Sequence, residues 1–321
     1  MPAVTLVIIE HDRGAISPAT FEALTAARSL GADIQALTIG AAADRLAAEL
    51  APYGVNIVHQ VHDDVLSDYG PEAWGEVVAQ AVRALSPTFV LAAGTDRGNE
   101  VMAQAAARLD LPFSANCIEF RDGDKFEMTR IRWGGSLLED ASLTADIKLV
   151  TVAHHAVEAA FADAHGPADA IELKVSLDAS LGRSIVKGRV EREAGVTLST
   201  SPIVVGGGRG VGSADGFASL EALANELGGV VGCSRAVTNN GWRSHTAQVG
   251  QTGTRIAPDV YFACGISGAI QHWVGAMASK NIIAINTDKD ANMVTKAGYA
   301  VIGDLHQVVP AITEEIRRRR S

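Results

Sequence analysis

Val260-Tyr261-Phe262-Ala263-Cys264-Gly265-Ile266-Ser267-Gly268-Ala269-Ile270-Gln271-His272 reads as an apolar strand, Val260–Cys264, that turns through two glycines into a helix over Ala269–Ala278. A strand without polar alternation is one covered on both faces, and such strands belong to parallel sheets. Downstream, Ile282–Ile285 and Ala300–Ile302 are further apolar runs, and Leu305–Arg317 reads as a final helix. Upstream, Ile203-Val204-Val205 runs into Gly206-Gly207-Gly208-Arg209-Gly210-Val211-Gly212. A helix over Phe217–Leu227 and a strand over Val230–Cys233 follow. Alternation of strand and helix is the pattern of βαβ units.

The front of the chain keeps the same rhythm. Val4–Ile9, Asp33–Ile39, Asn56–Val61 and Phe89–Ala93 read as strands. Ser17 can cap a helix that starts at Pro18 and runs to about Leu30, where Gly31 closes it. Ala43–Leu50, Pro71–Leu85 and Val101–Leu109 read as further helices. From Cys117 to Val196, strand-like pieces outnumber helices: Glu119–Arg121, Phe126–Trp133, Lys148–Val152 and Ala170–Val175, with Gly134-Gly135-Ser136 as a break. The charged stretch Lys187–Glu193 and the polar joint Ser199-Thr200-Ser201-Pro202 mark a boundary. The fold expected is α/β, with two doubly wound, Rossmann-like domains and mostly parallel sheets. Residues 1–200 form the first domain and 201–321 the second, smaller one.

Bulk properties agree. At roughly 100–200 residues per domain, 321 residues make about two domains. Hydrophobic residues are 47% and charged residues 20%, enough for packed cores. The net charge of −10 argues against generic binding to nucleic acid or anionic lipid. The basic run Arg317–Arg320 reads as a solvated helix end whose cations complement the dipole, not as a nucleic-acid arm. Cys117, Cys233 and Cys264 are far apart, so neither a disulfide framework nor a zinc site is expected. The chain opens at once on a strand, with no basic leader, and no apolar stretch is long enough to span a membrane. The expectation is a soluble, cytoplasmic protein without direct membrane insertion.

Two glycine turns carry the chemical signal. Gly206–Gly212 is not a P-loop, because no Lys-Ser or Lys-Thr follows, and Ser213 breaks the dinucleotide fingerprint that Gly208 and Gly210 begin. Glycines after a strand can still expose backbone N–H groups, and Arg209 adds a charged fork, so an anion site is favoured over a plain turn. Gly265–His272 repeats the logic: Ser267 can cap a helix or bond a phosphate oxygen, and Gln271 and His272 sit in its first turns. Between them, Gln248–Arg255 is polar and glycine-spaced and reads alone as a hairpin turn. The loop Gly94–Glu100 reads as an ordinary βα loop. Nucleophile-elbow, HExxH, kinase and zinc patterns are absent from the sequence. The implied chemistry is binding of a large anionic cofactor that does the chemistry itself.

The segment Pro258–His272 continuing to Ile283-Ala284-Ile285-Asn286 closely resembles the signature of electron-transfer flavoprotein α subunits. The resemblance extends through Gly207-Gly208-Arg209-Gly210, Ser234-Arg235-Ala236-Val237, Gln248–Gly253, Asp304-Leu305 and Val308-Val309-Pro310. It covers essentially the whole second domain, whereas the first resembles the family in architecture and in pieces such as Arg108-Leu109. It implies FAD in the second domain, and a first domain that serves the interface with a β subunit. Electrons would come from flavin-dependent dehydrogenases, as in fatty-acid or amine oxidation, and pass to a membrane quinone oxidoreductase. The protein would be an electron carrier and not an enzyme with its own substrate. A flavin- or nicotinamide-dependent dehydrogenase, and a bifurcating member with a second active flavin in the partner, are the alternatives.

By resemblance, Gly208-Arg209-Gly210, Ser234-Arg235, Gln248-Val249-Gly250-Gln251-Thr252 and Gly265-Ile266-Ser267-Gly268-Ala269-Ile270-Gln271-His272 hold the cofactor. Arg235 lies over the flavin ring, Thr252 near N5 and His272 near the C2 carbonyl, while Asn286, Asp304 and Leu305 serve the phosphate–ribose–adenine side. A reduced flavin gains negative charge near N1 and the C2 carbonyl, which Arg235 and a protonated His272 would stabilise. One departure stands out. After Ser234-Arg235-Ala236-Val237 the common pattern continues with Asp, a small residue and Gly; here it reads Thr238-Asn239-Asn240-Gly241. The glycine is kept and the carboxylate is not, which leaves flavin potential and choice of partner open.

Overall fold

The computed structural model describes residues 3–188 and 196–320. The chain divides into two compact units: Met1–Arg132 with Leu137–Glu191, and Trp133–Ser136 with Arg192–Ser321. Residues 189–193 of the charged stretch Lys187–Glu193, and residues 1–2 at the front of the chain, lie outside the described residues.

The first unit runs β1 (Val4–Ile8), a small hairpin β2 (His11–Asp12) and β3 (Ala15–Ile16), α1 (Pro18–Ala27), β4 (Asp33–Ile39), α2 (Ala47–Leu50) and β5 (Ile57–Val61). It continues through α3 (Pro71–Leu85), β6 (Phe89–Gly94), α4 (Asp96–Leu109), β7 (Phe113–Arg121), β8 (Phe126–Arg132), β9 (Leu137–Leu143), β10 (Lys148–Ala153) and β11 (Asp169–Glu172). Nine of these strands make one sheet in the order β11-β5-β4-β1-β6-β10-β7-β8-β9. It is parallel from β11 to β7, and β8 and β9 add an antiparallel end. Side chains alternate across a strand, so the apolar runs supply two cores at once. Val7, Phe89 and Leu91 face Leu24 and Ala27 of α1. Leu6, Ile8, Val90 and Ala92 face Trp74, Val77 and Val78 of α3 and Met102 of α4.

The second unit runs β12 (Ile203–Gly207), α5 (Ala218–Leu227), β13 (Val230–Cys233), α6 (Arg235–Asn239), β14 (Val260–Cys264), α7 (Ile270–Ala276), β15 (Asn281–Asn286), α8 (Asn292–Lys296), β16 (Tyr299–Ile302) and α9 (Leu305–Arg320). Its five strands are all parallel, in the order β13-β12-β14-β15-β16. Val205, Phe262 and Cys264 pack against α5 and α9 through Leu220, Leu223 and Val309. Val204, Tyr261 and Ala263 face the other way, against Ile256, Ala276 and Met293. No helix among the described residues is long and apolar enough to cross a membrane.

Several local expectations change. The helix expected over Ala43–Leu50 is broken into 3-10 turns at Ala41–Ala43 and Ala51–Tyr53 around α2, because Pro52 and the left-handed Gly54 stop it. Helix α4 starts at Asp96, five residues ahead of Val101. Thr95 caps it by accepting the Gly98 N–H, and a Cβ at Gly98 would lie 2.0 Å from the Ala93 carbonyl oxygen. Gly98 therefore lies inside α4, where the helix passes close to the end of β6, and not in the βα loop expected over Gly94–Glu100.

Candidate functional site

From β12 the chain crosses to β13 on one side, and then returns to β14 on the other. The crevice beyond the C-terminal ends of β12 and β14 is thus the switch point of the sheet, where doubly wound folds bind ligands. Small-molecule sites run about 300–1,000 Å³, and the cavity at this switch point measures ≈ 530 Å³. Gly208, Arg209 and Gly210 after β12 line it, with Ser234 and Arg235 after β13. Gly265–Ala269, Gln271 and His272 line it after β14, and Asn286 after β15. Four separate βα connections thus bring most of the sequence-predicted residues to one place.

The loops close on each other through glycine. A Cβ on Gly208 would sit 2.2 Å from the Gly265 carbonyl oxygen. Gly265 itself has φ +62, and a Cβ there would meet Gly210 Cα at 2.8 Å. Two of the loop's N–H groups are used internally: the Gly208 N–H donates to the Cys264 carbonyl at 2.9 Å, and the Gly210 N–H to the Gly265 carbonyl at 3.1 Å. Arg209 lines the cavity between them. Ser267 is not the cap of α7, which is Ala269; it stands exposed at the cavity wall. Arg209 and Arg235 are both exposed, while Asp288 is the acidic residue on the wall, so the cavity carries net positive charge in an acidic chain.

His272 is buried against β14. Its Nε2 is 2.8 Å from the Tyr261 hydroxyl, and Gly206 makes room for that phenol, because a Cβ at Gly206 would lie 2.3 Å from the hydroxyl oxygen. Burial pushes the Tyr261 phenol well above its ordinary range, so it stays a donor. We assign Nε2 as the acceptor, which puts the imidazole proton on Nδ1. Nδ1 is buried too, and the ring's backbone neighbour is Val249. Burial lowers the His272 pKa to about 4, with the Val249 backbone opposing. Without an anion beside it the ring is neutral at pH 7, and it offers one N–H.

The Gln248–Gly253 loop docks on α7 backbone to backbone. The Gln251 N–H donates to the Gln271 carbonyl at 2.7 Å, and Gly250 Cα lies 2.3 Å from where a Gly275 Cβ would be. Within it runs a polar chain. The single Thr238 Oγ1–H is shared between the Arg235 carbonyl and Gln248 Oε1, each 2.9 Å away, and Gln248 Nε2 donates to Thr252 Oγ1 at 2.9 Å. Thr252 is thereby held as an acceptor, with its own hydroxyl proton left to donate outward. Thr238, the residue at the departure from the family pattern, anchors this chain.

Other sequence-predicted residues sit elsewhere. Gln248, Val249, Gly250, Gln251, Thr252, Ile270, Asp304 and Leu305 are not on the cavity wall. The Gln251 side chain donates to the Trp133 carbonyl at 3.0 Å, and Trp133–Ser136 belongs to the same unit. Asp304 precedes α9 and accepts the His306 N–H at 2.9 Å, while Leu305 is core. Ala236, Asp288 and Ala291 line the cavity and were not anticipated. For Asp288 a signal existed: Asn286-Thr287-Asp288 is a polar turn at the end of a parallel strand.

Residues 5–178 match the model of the electron transfer flavoprotein domain, and residues 197–277 that of the electron transfer flavoprotein FAD-binding domain. The electron transfer flavoprotein subunit alpha of Mycobacterium leprae is 35% identical over 99% of both chains. That of Bacillus subtilis is 34% identical over 98% of this chain and 97% of its own. That of Thermoanaerobacterium thermosaccharolyticum is 33% identical over 97% of both.

Proposed function

Because the chain belongs to the electron transfer flavoprotein α-subunit family, we propose that it holds FAD at the switch point of its second unit, as one subunit of a heterodimer with a β subunit. In this reading the heterodimer takes electrons from flavin-dependent dehydrogenases and delivers them to a membrane quinone oxidoreductase.

One observation supports the cofactor reading: a switch-point cavity lined by Arg209, Arg235 and the buried ring of His272, net positive in an acidic chain. The residues present fit FAD in chemistry as well. Arg209 and Arg235 supply charge for a pyrophosphate and an electron-rich ring, and glycines let the two loops behind them pack backbone to backbone. FAD, when bound, supplies reversible acceptance of one or two electrons. The protein's own residues bind and tune: Arg209 neutralises phosphate, the His272 N–H donates to an acceptor on the ring, and Gln248 orients the Thr252 hydroxyl. Without a protonated His272, Arg235 is the fixed positive charge available to favour added negative charge.

The carrier reading is tested on the purified heterodimer. Reduction by a partner dehydrogenase and its substrate, with no turnover of small substrates by the heterodimer alone, is the expected result. Steady turnover of a small substrate by the heterodimer alone would replace the carrier with a dehydrogenase.

A further inference from the structure

The geometry of Glu22, His154 and His155 points to a site for one divalent transition-metal ion of the zinc, nickel or copper type in the first unit. Glu22 projects from α1, and the two histidines directly follow β10. The His155 backbone N–H donates to Glu22 Oε2 at 2.7 Å and fixes the carboxylate. Its other oxygen then meets both rings: Glu22 Oε1 lies 3.6 Å from His154 Nε2 and 3.6 Å from His155 Nδ1. One ligand atom from each residue falls within 4.8 Å of the others.

Those 3.6 Å separations are too long for hydrogen bonds, which run about 2.7–3.2 Å. They approach the edge of a tetrahedron: zinc–ligand bonds of about 2.0–2.1 Å set neighbouring ligand atoms about 3.4 Å apart. The cluster is sheltered and its backbone unusual. The Glu22 and His155 side chains are only 12% and 13% exposed, and His155 Nε2 is buried without a partner. His155 also has φ +64, uncommon for a residue with a side chain. The rings stack with centroids 3.6 Å apart and planes at 23°, so ligation turns one imidazole about its Cβ–Cγ bond, a soft torsion. Two imidazoles and one carboxylate suit zinc, nickel or copper and not calcium or magnesium, and they leave a fourth position for water. Bound there, the ion ties α1 to the end of β10.

The full untagged chain, stripped by chelator, is titrated with Zn²⁺ by calorimetry and by thermal unfolding. Expected are one ion per chain, a raised unfolding temperature, and loss of both in Glu22→Gln and in a His154→Ala/His155→Ala double variant. Gln keeps an acceptor for the His155 N–H, so that variant removes charge without removing the bond that shapes the turn. Absence of saturable binding, or binding that survives both variants on other histidines, overturns the site. X-ray absorption of the zinc-loaded parent, which needs no variant, must show two imidazoles; one or none also overturns it.

Discussion

Thr238→Val removes one hydroxyl and nearly preserves shape. Thr238 is 7% exposed and Gln248 2% exposed, so water cannot replace what is lost. Gln248 Oε1 loses its 2.9 Å partner and becomes a buried acceptor without a donor. That costs about 1–3 kcal/mol. The added methyl offsets part of it, which leaves a destabilisation of about 1–2 kcal/mol. The freed Gln248 amide also holds Thr252 less firmly. The Thr238 hydroxyl also holds the backbone carbonyl of Arg235, which lines the cavity; if that bond contributes about 1 kcal/mol to the bound state, FAD affinity falls about fivefold. Thr238→Ser, which keeps the hydroxyl, serves as control and should stay near the parent in both. Urea unfolding followed by far-UV dichroism reads stability, and fluorescence quenching on FAD titration reads affinity. If Thr238→Val matched the parent in stability and in FAD affinity, the Thr238–Gln248–Thr252 chain would have no energetic role.

Gly208→Ala places a methyl 2.2 Å from the Gly265 carbonyl, a backbone atom that cannot yield cheaply; about 1–3 kcal/mol of stability should be lost, together with FAD binding, as read by unfolding and by cofactor content. His272 has a folded pKa of about 4 against an ordinary 6.5, so its neutral ring favours folding in full above about 6.5, and that contribution drains away as pH falls toward 4. The loss amounts to roughly 3 kcal/mol at the low end. His11 and His59 are shifted the same way by burial, so the test is the difference between parent and His272→Gln, whose stability should fall less steeply over that window. Arg235→Ala should lower the potential of the bound flavin while leaving FAD content near that of the parent, and reductive titration against reference dyes measures it.

The fold was legible where the chain announces it locally. Val4–Ile8, Asp33–Ile39 and Val260–Cys264 are apolar enough to be strands in any context, and Pro18 and Pro71 set helix starts. Strand β9 was not legible: Leu137–Leu143 reads Leu-Leu-Glu-Asp-Ala-Ser-Leu, without clean alternation, and is a strand because β8 pairs with it. Helix α6 has five residues, too few for a periodic signal. At the site, the glycines and Arg209, Arg235 and His272 could be read from type and spacing. The neutral state of His272 could not, since it follows from burial beneath Tyr261 and from packing on the Gln248–Gly253 loop. The Thr238–Gln248–Thr252 chain was equally hidden, because side-chain hydrogen bonds across loops leave no periodic trace.

The most direct measurement is the visible spectrum and cofactor stoichiometry of the full chain, purified with its β subunit. One FAD per chain, lost in parallel with Gly208→Ala, is the result expected; a colourless heterodimer, or one whose flavin survives that substitution unchanged, would contradict the placement of FAD at the switch point.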